Sequence, residues 1–433
     1  MVATFSFISL SIVVLLGIMT VILPRRYAVV PLIICALYIP MNQQIIIADL
    51  NFYTIRIIIF FSIIRLVIKG EAHGLKLNGI DKALISWVLA SIVIYTILWQ
   101  TFGAFINRLG FAYNSIGLYF FCRFALRDDT DIERVIKTLC ILIIPLTFFM
   151  IIESATGQNL LSTFGGGREF SAVRGGAVRA SGPFSHAILA GTFGATMMPI
   201  FIGFWQKRTD SRMLGIAGFV AATIITISSR SAGAIGAYMV GVVGLTMWFF
   251  RGYMRIVLWG LFFSIVSLHL MMKAPVWFLM DRVAELSGGG GWHRSQLIDS
   301  AIRHFDEWWL MGTTYTRHWL PNALPIEPNM VDITNQYIRV GVDGGMITLT
   351  LFIIMIGFCF IAIGHIIKTA DDMAIKSKFF VWSFGTSLFV HAVSFLYVSY
   401  FDQIIVFFLL LLAMISVLKD SHDISIGSKV VPP

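Results

Sequence analysis

Met346-Ile-Thr-Leu-Thr-Leu-Phe-Ile-Ile-Met-Ile-Gly-Phe-Cys-Phe-Ile-Ala-Ile-Gly-His-Ile-Ile367 runs for 22 residues without an acid, lysine or arginine. At about 1.5 Å per residue a helix of this length reaches about 33 Å, enough to cross about 30 Å of hydrocarbon. Inside lipid a single segment satisfies its own backbone groups only as a helix. The rest of the chain repeats this pattern. Further apolar runs follow at 379–398 and 404–418, and earlier ones lie at 4–23, 28–47, 55–68, 83–102, 106–124, 135–154, 188–205, 213–227, 232–250 and 254–272. The fold class is therefore all-α, a polytopic integral membrane protein with about 12–14 transmembrane helices.

Composition agrees. Of 433 residues, 58% are hydrophobic and 13% charged, against about 25% charged in a soluble domain. The run at 4–23 lacks a basic leader and a small-residue cleavage site, so it reads as a retained helix. Pro31, Pro40 and the polar Asn42, Gln43 and Gln44 interrupt the run at 28–47, which reads as a broken or re-entrant helix. Cys35, Cys122, Cys140 and Cys359 sit inside apolar runs without paired spacing, so neither a disulfide nor a metal is expected from them. No cofactor pattern is present, and nothing implies a nucleic-acid partner.

Two hydrophilic stretches, 157–185 and 273–345, break the apolar series. Four apolar runs separate them, so an even number of crossings puts both on the same side. The chain divides accordingly into N-terminal helices (1–155), a first external loop (156–187), a four-helix segment (188–272), a large external loop (273–345) and C-terminal helices with a short tail (346–433). Lysine and arginine crowd one alternate set of short loops, from Arg25 and Arg26 through Lys207, Arg208 and Arg212 to Lys419 and Lys429 in the tail. The other set holds Arg56, Arg108 and Arg230. That bias places the C-terminus in the cytoplasm and the long loops outside.

Most of the net charge of +9 is thus topogenic, with some available to anionic lipid head groups. Topogenesis leaves Arg168, Arg174, Arg179, Arg230, Arg282, Arg294, Arg303, Arg317 and Arg339 unexplained, because these face outward against the rule. Arginine's planar fork pairs with phosphate oxygens in bidentate fashion, so a face rich in it suits a phosphorylated ligand. A solvated connector would also carry such residues.

In the first loop Glu153-Ser-Ala-Thr-Gly157 precedes Gly165-Gly-Gly-Arg168 and Arg179-Ala-Ser-Gly-Pro-Phe-Ser-His186. Ser185 stands where an N-cap would offer free amides to an anion. Thr226-Ile-Ser-Ser-Arg230-Ser-Ala-Gly reads as a tight outer turn that holds Arg230 at the membrane surface among hydroxyls, where a charge points to function or merely snorkels. In the second loop Gly288 to Gly291 reads as a hinge. From 294 to 310 the recurrence of Leu297, Ile298, Ala301, Ile302, Phe305, Trp308 and Trp309 predicts one amphipathic helix at the membrane interface. Asp332-Ile-Thr-Asn-Gln-Tyr337 offers Asp332 as a general base or as a helix N-terminal acid; His293, His304 and His318 are further titratable candidates. His391 and Asp402, in or beside the penultimate run, read as bonds to neighbouring helices.

These motifs, with Trp308-Trp-Leu-Met-Gly312 and the glycines Gly341, Gly344 and Gly345, stand in the order that resembles the O-antigen ligase and O-antigen polymerase family, over roughly 149–358. The resemblance implies about twelve helices, one large periplasmic loop and a bacterial inner-membrane location. It implies transfer of a glycan from an undecaprenyl-diphosphate-linked oligosaccharide to an acceptor glycan or lipid hydroxyl, without metal or cofactor, beside other polysaccharide export proteins. It carries over Arg179 and Arg230 as diphosphate contacts; Arg294, Arg168 and Arg303 join them as donor-binding candidates by position. Asp332 and His318 are the candidate bases with Arg230 as catalytic cation, and His186, Asn335 and Tyr337 are placed as acceptor- or loop-positioning residues. Ligases of this family commonly have a histidine before the asparagine that opens the last part of the loop. Here Thr334 precedes Asn335, which favours a polymerase of repeat units over a ligase. The competing reading is a lipid-linked oligosaccharide flippase or transporter, for which polar residues at mid-membrane and repeated halves would be expected.

Overall fold

The computed structural model describes residues 3–47, 50–286, 291–321, 323, 325–370 and 373–430. Helices account for most of it. The N-terminal part contains α1 (Phe7–Ile22), α2 (Val30–Tyr38), α3 (Thr54–Lys69), α4 (Gly79–Trp99), α5 (Phe102–Ala125) and α6 (Asp129–Thr156). The middle contains α7 (Ala187–Lys207), α8 (Arg212–Ser228), α9 (Ala232–Thr246) and α10 (Met254–Met271). The second loop holds α11 (Leu279–Leu286), α12 (Trp292–Arg303) and α13 (Phe305–Trp308), before α14 (Gln336–Thr369), α15 (Ile375–Ser394) and α16 (Gln403–Val430).

Local chemistry sets many of these limits. Asn78 and Asp81 form a reciprocal cap at the start of α4, while Ser6, Thr101, Asp128 and Asn335 each accept a backbone N–H at the start of α1, α5, α6 and α14. Among the described residues, six helical stretches are long and apolar enough to cross a membrane by length and composition: α4, α6, α7, the continuous stretch Ala232–Met271, α14, and 403–425 of α16. Two shorter apolar helices, α1 and α8, stand beside them. The remaining expected runs are helical but carry more polar residues or are shorter, such as the 16-residue α3 with Arg56 and Arg65.

The run expected at 28–47 breaks as its prolines suggest. Helix α2 is nine residues long, too short to cross, and the chain then forms the antiparallel strands Gln43–Ile47 and Leu50–Tyr53. The runs at 232–250 and 254–272 become α9 and α10, joined through a 3-10 segment at Met247–Tyr253. Every residue of α10 is exposed except Met254 and Val257 in its first turn, which are half-buried. The single helix expected at 294–310 is two helices, because His304 (φ −101°, ψ 29°) leaves the helical region between α12 and α13.

One large apolar core runs through the helix bundle. A second, small core lies within the second long loop: Leu297, Ala301 and Trp308 pack with Trp319, Val331, Ile333 and Val342. The helix face expected to rest on lipid is therefore largely covered by the loop's own residues, leaving Ile302, Phe305, Trp309 and Leu310 outward. The loop docks on a break in α14. Gly344 and Gly345 leave the helical region there, and Thr313 N donates to Val342 O while Met346 N donates to Trp309 O. Gly345 has φ 68°, and a Cβ on it would fall against the Leu310 carbonyl, so close backbone approach requires glycine.

Candidate functional site

The loop motifs are held together by hydrogen bonds that the sequence order only hints at. The carboxylate of Glu153, buried at the end of α6, accepts from Ser181 N (2.9 Å), Gly182 N (2.8 Å) and Ser171 Oγ (2.7 Å). A buried charge of this kind is tolerated because its lone pairs are filled. Asn159 Nδ2 donates to Gly182 O and Gln403 Nε2 to Pro183 O, at 2.7 and 2.6 Å. The segment Ser181 to Pro183 is thus held by residues that precede it in the chain and by Gln403 far beyond it.

The hairpin Ala172–Arg174 with Ala177–Arg179 leads into this segment. Ala180 N then donates to Ser228 O at 3.1 Å, tying the strand that carries Arg179 to the turn that carries Arg230. In the second loop, Arg294 at the start of α12 donates from Nε to Tyr397 O at 3.1 Å, in the connection between α15 and α16. Asn335 Nδ2 donates to Leu396 O, Gln336 N to Phe395 O, and Tyr337 OH to Ala392 O. The two long loops therefore meet at one end of the bundle, over the α15–α16 connection.

There the cations gather. Burial lowers the pKa of Arg294 below the ordinary guanidinium value; Tyr397 opposes this, and nearby Arg174 and Arg179 add to it. Burial and Arg174 lower Arg179 as well, and its Nε is buried without a hydrogen-bond partner. Burial, Arg168 and Arg179 lower His186, against the opposing pull of Asp332. His186 is exposed, yet its ring packs edge-on against Phe401. Among the described residues Arg168, Arg174, Arg179, Arg230 and Arg294 have no carboxylate partner. At the other end of the helices the cations do have acids: Arg25 meets Asp131 at 2.7 Å, Arg65 meets Glu71 at 2.6 Å, and Lys207 and Arg208 both meet Glu133 at 2.8 Å.

Two cavities open at the cluster. The smaller, about 90 Å³, is lined by Arg168, Arg179, Ser181, Ser185 and His186. The larger, about 410 Å³, has walls from Trp87, Phe111, Phe352, Phe395 and Phe408, with Asn42, Asn114, Gln336 and Asp402 among its polar residues. Ser185 lines both. It does not cap α7, whose N-cap is His186 without a side-chain bond. Instead Ser185 donates from N and Oγ to Asp402 Oδ2, at 2.8 and 2.6 Å. Burial pushes the Asp402 carboxyl up to about 6, with the Ser185 and Gln403 donors acting against it. Of the three non-glycine residues with positive φ among those described, two are here, Arg230 (44°) and Asp402 (65°). Backbone strain of this kind collects where a site over-determines geometry.

The sequence candidates separate. Arg168, Arg179, Arg294, His186 and Asp332 converge. Arg230 lies on the adjoining turn, exposed, while Ser228, Ser229 and Ser231 turn inward, so those hydroxyls do not surround it. Asp332 is half-buried, and its backbone carbonyl faces His293 Nε2 at 2.9 Å. Asn335 caps α14 and Tyr337 anchors it, which gives both a positioning geometry. Arg303 pairs with Asp299 at 2.7 Å and is otherwise exposed, apart from the cluster. His318 meets Glu307, His304 and Tyr315. Of the expected hinge Gly288 to Gly291, residues 288–290 lie outside the described residues. Arg174 and Asp402 are the residues that sequence reasoning underrated, since each gains meaning only from partners far along the chain.

No protein-family model matches this chain, and no curated protein matches it.

Proposed function

We propose that this protein is an integral-membrane glycosyltransferase that moves glycan units from an undecaprenyl-diphosphate-linked donor to an acceptor hydroxyl, with its active face outside the bacterial inner membrane. The observation that carries the reading is the set of arginines in which Arg179 and Arg294, half-buried, are joined by the exposed Arg174, all without a carboxylate partner among the described residues. Their charges act unfavourably on one another, and the arrangement is relieved by a ligand that brings two or more negative charges. A diphosphate does so, and it is also the leaving group whose charge grows during transfer. The adjoining aromatic cavity suits a neighbouring sugar or the first units of the lipid.

In the reaction the acceptor oxygen attacks the anomeric carbon, the bond from that carbon to the phosphate oxygen breaks, and the lipid diphosphate leaves with the electron pair. A single displacement of this kind inverts the anomeric carbon. The acceptor proton passes to a base. Asp402 suits that role best, because its carboxyl is poised near neutral pH at the wall of the aromatic cavity and its Oδ2 is oriented by Ser185. Asp332, facing His186, is the second candidate, whereas His318 is engaged elsewhere. Thr334 before Asn335 favours polymerisation of repeat units over transfer to a lipid acceptor.

The test is product analysis with the purified protein in lipid, supplied with an undecaprenyl diphosphate oligosaccharide. A ladder of repeat units that vanishes in Arg179→Ala and Arg294→Ala supports a polymerase; a single transfer to another acceptor supports a ligase. Passage of the glycolipid across the bilayer without transfer would replace the enzyme with a flippase.

A further inference from the structure

Apart from the arginine cluster, a second set of chemically capable side chains converges in the large loop. His304 lies between α12 and α13, Glu307 within α13, and His318 in the short 3-10 turn Arg317–Trp319. Glu307 Oε1 lies 2.8 Å from His304 Nδ1 and 2.9 Å from His318 Nε2, and the three ligand atoms all fall within 4.8 Å of one another. We propose that these residues bind one zinc ion that clips the loop, independently of the transfer reaction.

The donor set is two imidazoles and one carboxylate, which suits zinc and leaves a fourth position for water. Zinc bonds of about 2.0–2.1 Å in a tetrahedron put ligand atoms about 3.3 Å apart. The two short separations therefore need to widen by only a few tenths of an ångström, with the metal entering among the three. Surrounding groups hold the ligands ready. Trp319 Nε1 donates to Glu307 Oε2 at 3.0 Å, which turns Oε1 toward both imidazoles. The His304 ring stacks parallel on Trp319 with centroids 6.0 Å apart, and Tyr315 stacks on His318 at 5.1 Å. At His318 a bond to zinc would replace the hydrogen bond from Nε2 to Glu307, with the ring proton moving to Nδ1, which has no hydrogen-bond partner.

The clip has a consequence for the rest of the loop. Thr316 N and Arg317 N both donate to Asn329 O, and Val331 N donates to Thr316 Oγ1 at 3.1 Å. Fixing His318 to α13 thereby fixes the strand that leads to Asp332. Zinc acts on the approach to the site through this scaffold and touches no reacting atom.

The test uses the tag-free full chain in detergent, stripped with a chelator, exposed to zinc alone and passed through gel filtration before elemental analysis. One zinc per chain is expected for the parent protein, with at least tenfold weaker retention in Glu307→Gln and in His318→Gln. Cobalt in place of zinc should give the strong visible absorption of a tetrahedral site in the parent and not in the variants. Limited proteolysis between α12 and α14 supplies a readout that needs no activity, zinc slowing cleavage in the parent alone. An Arg179→Ala protein should keep the metal, which separates this site from the transfer reaction. Failure of the parent to retain zinc, or equal retention in a Glu307→Gln/His318→Gln double variant, overturns the proposal.

Discussion

Ser185 and Asp402, 217 residues apart, are joined by two hydrogen bonds to one carboxylate oxygen, from Ser185 N at 2.8 Å and Oγ at 2.6 Å. The pair links the first long loop to the connection between α15 and α16 and stands between the two cavities. Its energetics are opposed: burial favours the neutral acid, and the serine donors favour the carboxylate.

If Asp402 is the base, activity requires the ionised form. The sign then follows from the raised pKa: transfer should be lost as pH falls through about 6, with a slope of one proton. Ser185→Ala removes one donor to the charged form, so the acid limb should move to higher pH while the rate at its alkaline plateau changes less. Asp402→Asn should lower the plateau itself by about 100- to 10,000-fold. A pH–rate profile of kcat/KM for the three proteins checks this, and an unmoved acid limb in Ser185→Ala would reject the assignment.

Arg179 and Arg294 should be unequal to Arg303, though all three are arginines of the two long loops. The first two are half-buried without a carboxylate, whereas Arg303 is 75% exposed and paired with Asp299. Removing a cation aimed at developing charge costs about 100- to 1,000-fold in rate. Arg179→Ala and Arg294→Ala should fall in that range, lysine should rescue only partly because it lacks the bidentate fork, and Arg303→Ala should stay within about threefold of the parent. Initial transfer rates at saturating donor distinguish the three.

What was legible in sequence was what depends on local pattern. Apolar runs gave the helices, and Pro31 with Pro40 marked the break after α2. The gathering of Arg179, Arg294 and Arg168 was legible only as a bias toward one face. Their convergence depends on Glu153 gripping Ser181 and Gly182 and on Tyr397 receiving Arg294, contacts that span 28, 29 and 103 residues. The amphipathic stretch at 294–310 read as one helix because its apolar spacing continues through His304, where the backbone in fact turns. Asp402 read as a bland polar residue because its marked features, the bond to Ser185 and its positive φ, have no signature in either neighbourhood.

Glu153 should matter for folding of the first loop more than any of its serines. Glu153→Gln keeps one oxygen acceptor but sets an amide N–H₂ against a backbone or serine donor, so one buried donor is left unsatisfied. Such a loss costs about 1–3 kcal/mol. A lower Tm in detergent, with faster cleavage between Gln158 and Arg179, is the expected outcome; Ser171→Ala, which leaves both backbone donors in place, should shift Tm by less.

Gly345 and Gly357 provide the sharpest contrast within one helix. Gly345 has φ 68° and lies where a Cβ would strike the Leu310 carbonyl, while nothing stands within 4 Å of a Cβ on Gly357. Alanine at 345 must therefore distort the backbone or push the segment after α13 off α14, breaking the bonds Thr313 N to Val342 O and Met346 N to Trp309 O. Because that segment also helps to hold the second core, which leads on to Asp332, the defect should reach the arginine site. Gly345→Ala is expected to lose transfer and to expose the loop to protease, whereas Gly357→Ala should be neutral or gain up to about 1 kcal/mol in stability from helix propensity. Equal behaviour of the two variants in thermal unfolding and proteolysis would show that the loop does not depend on the break in α14.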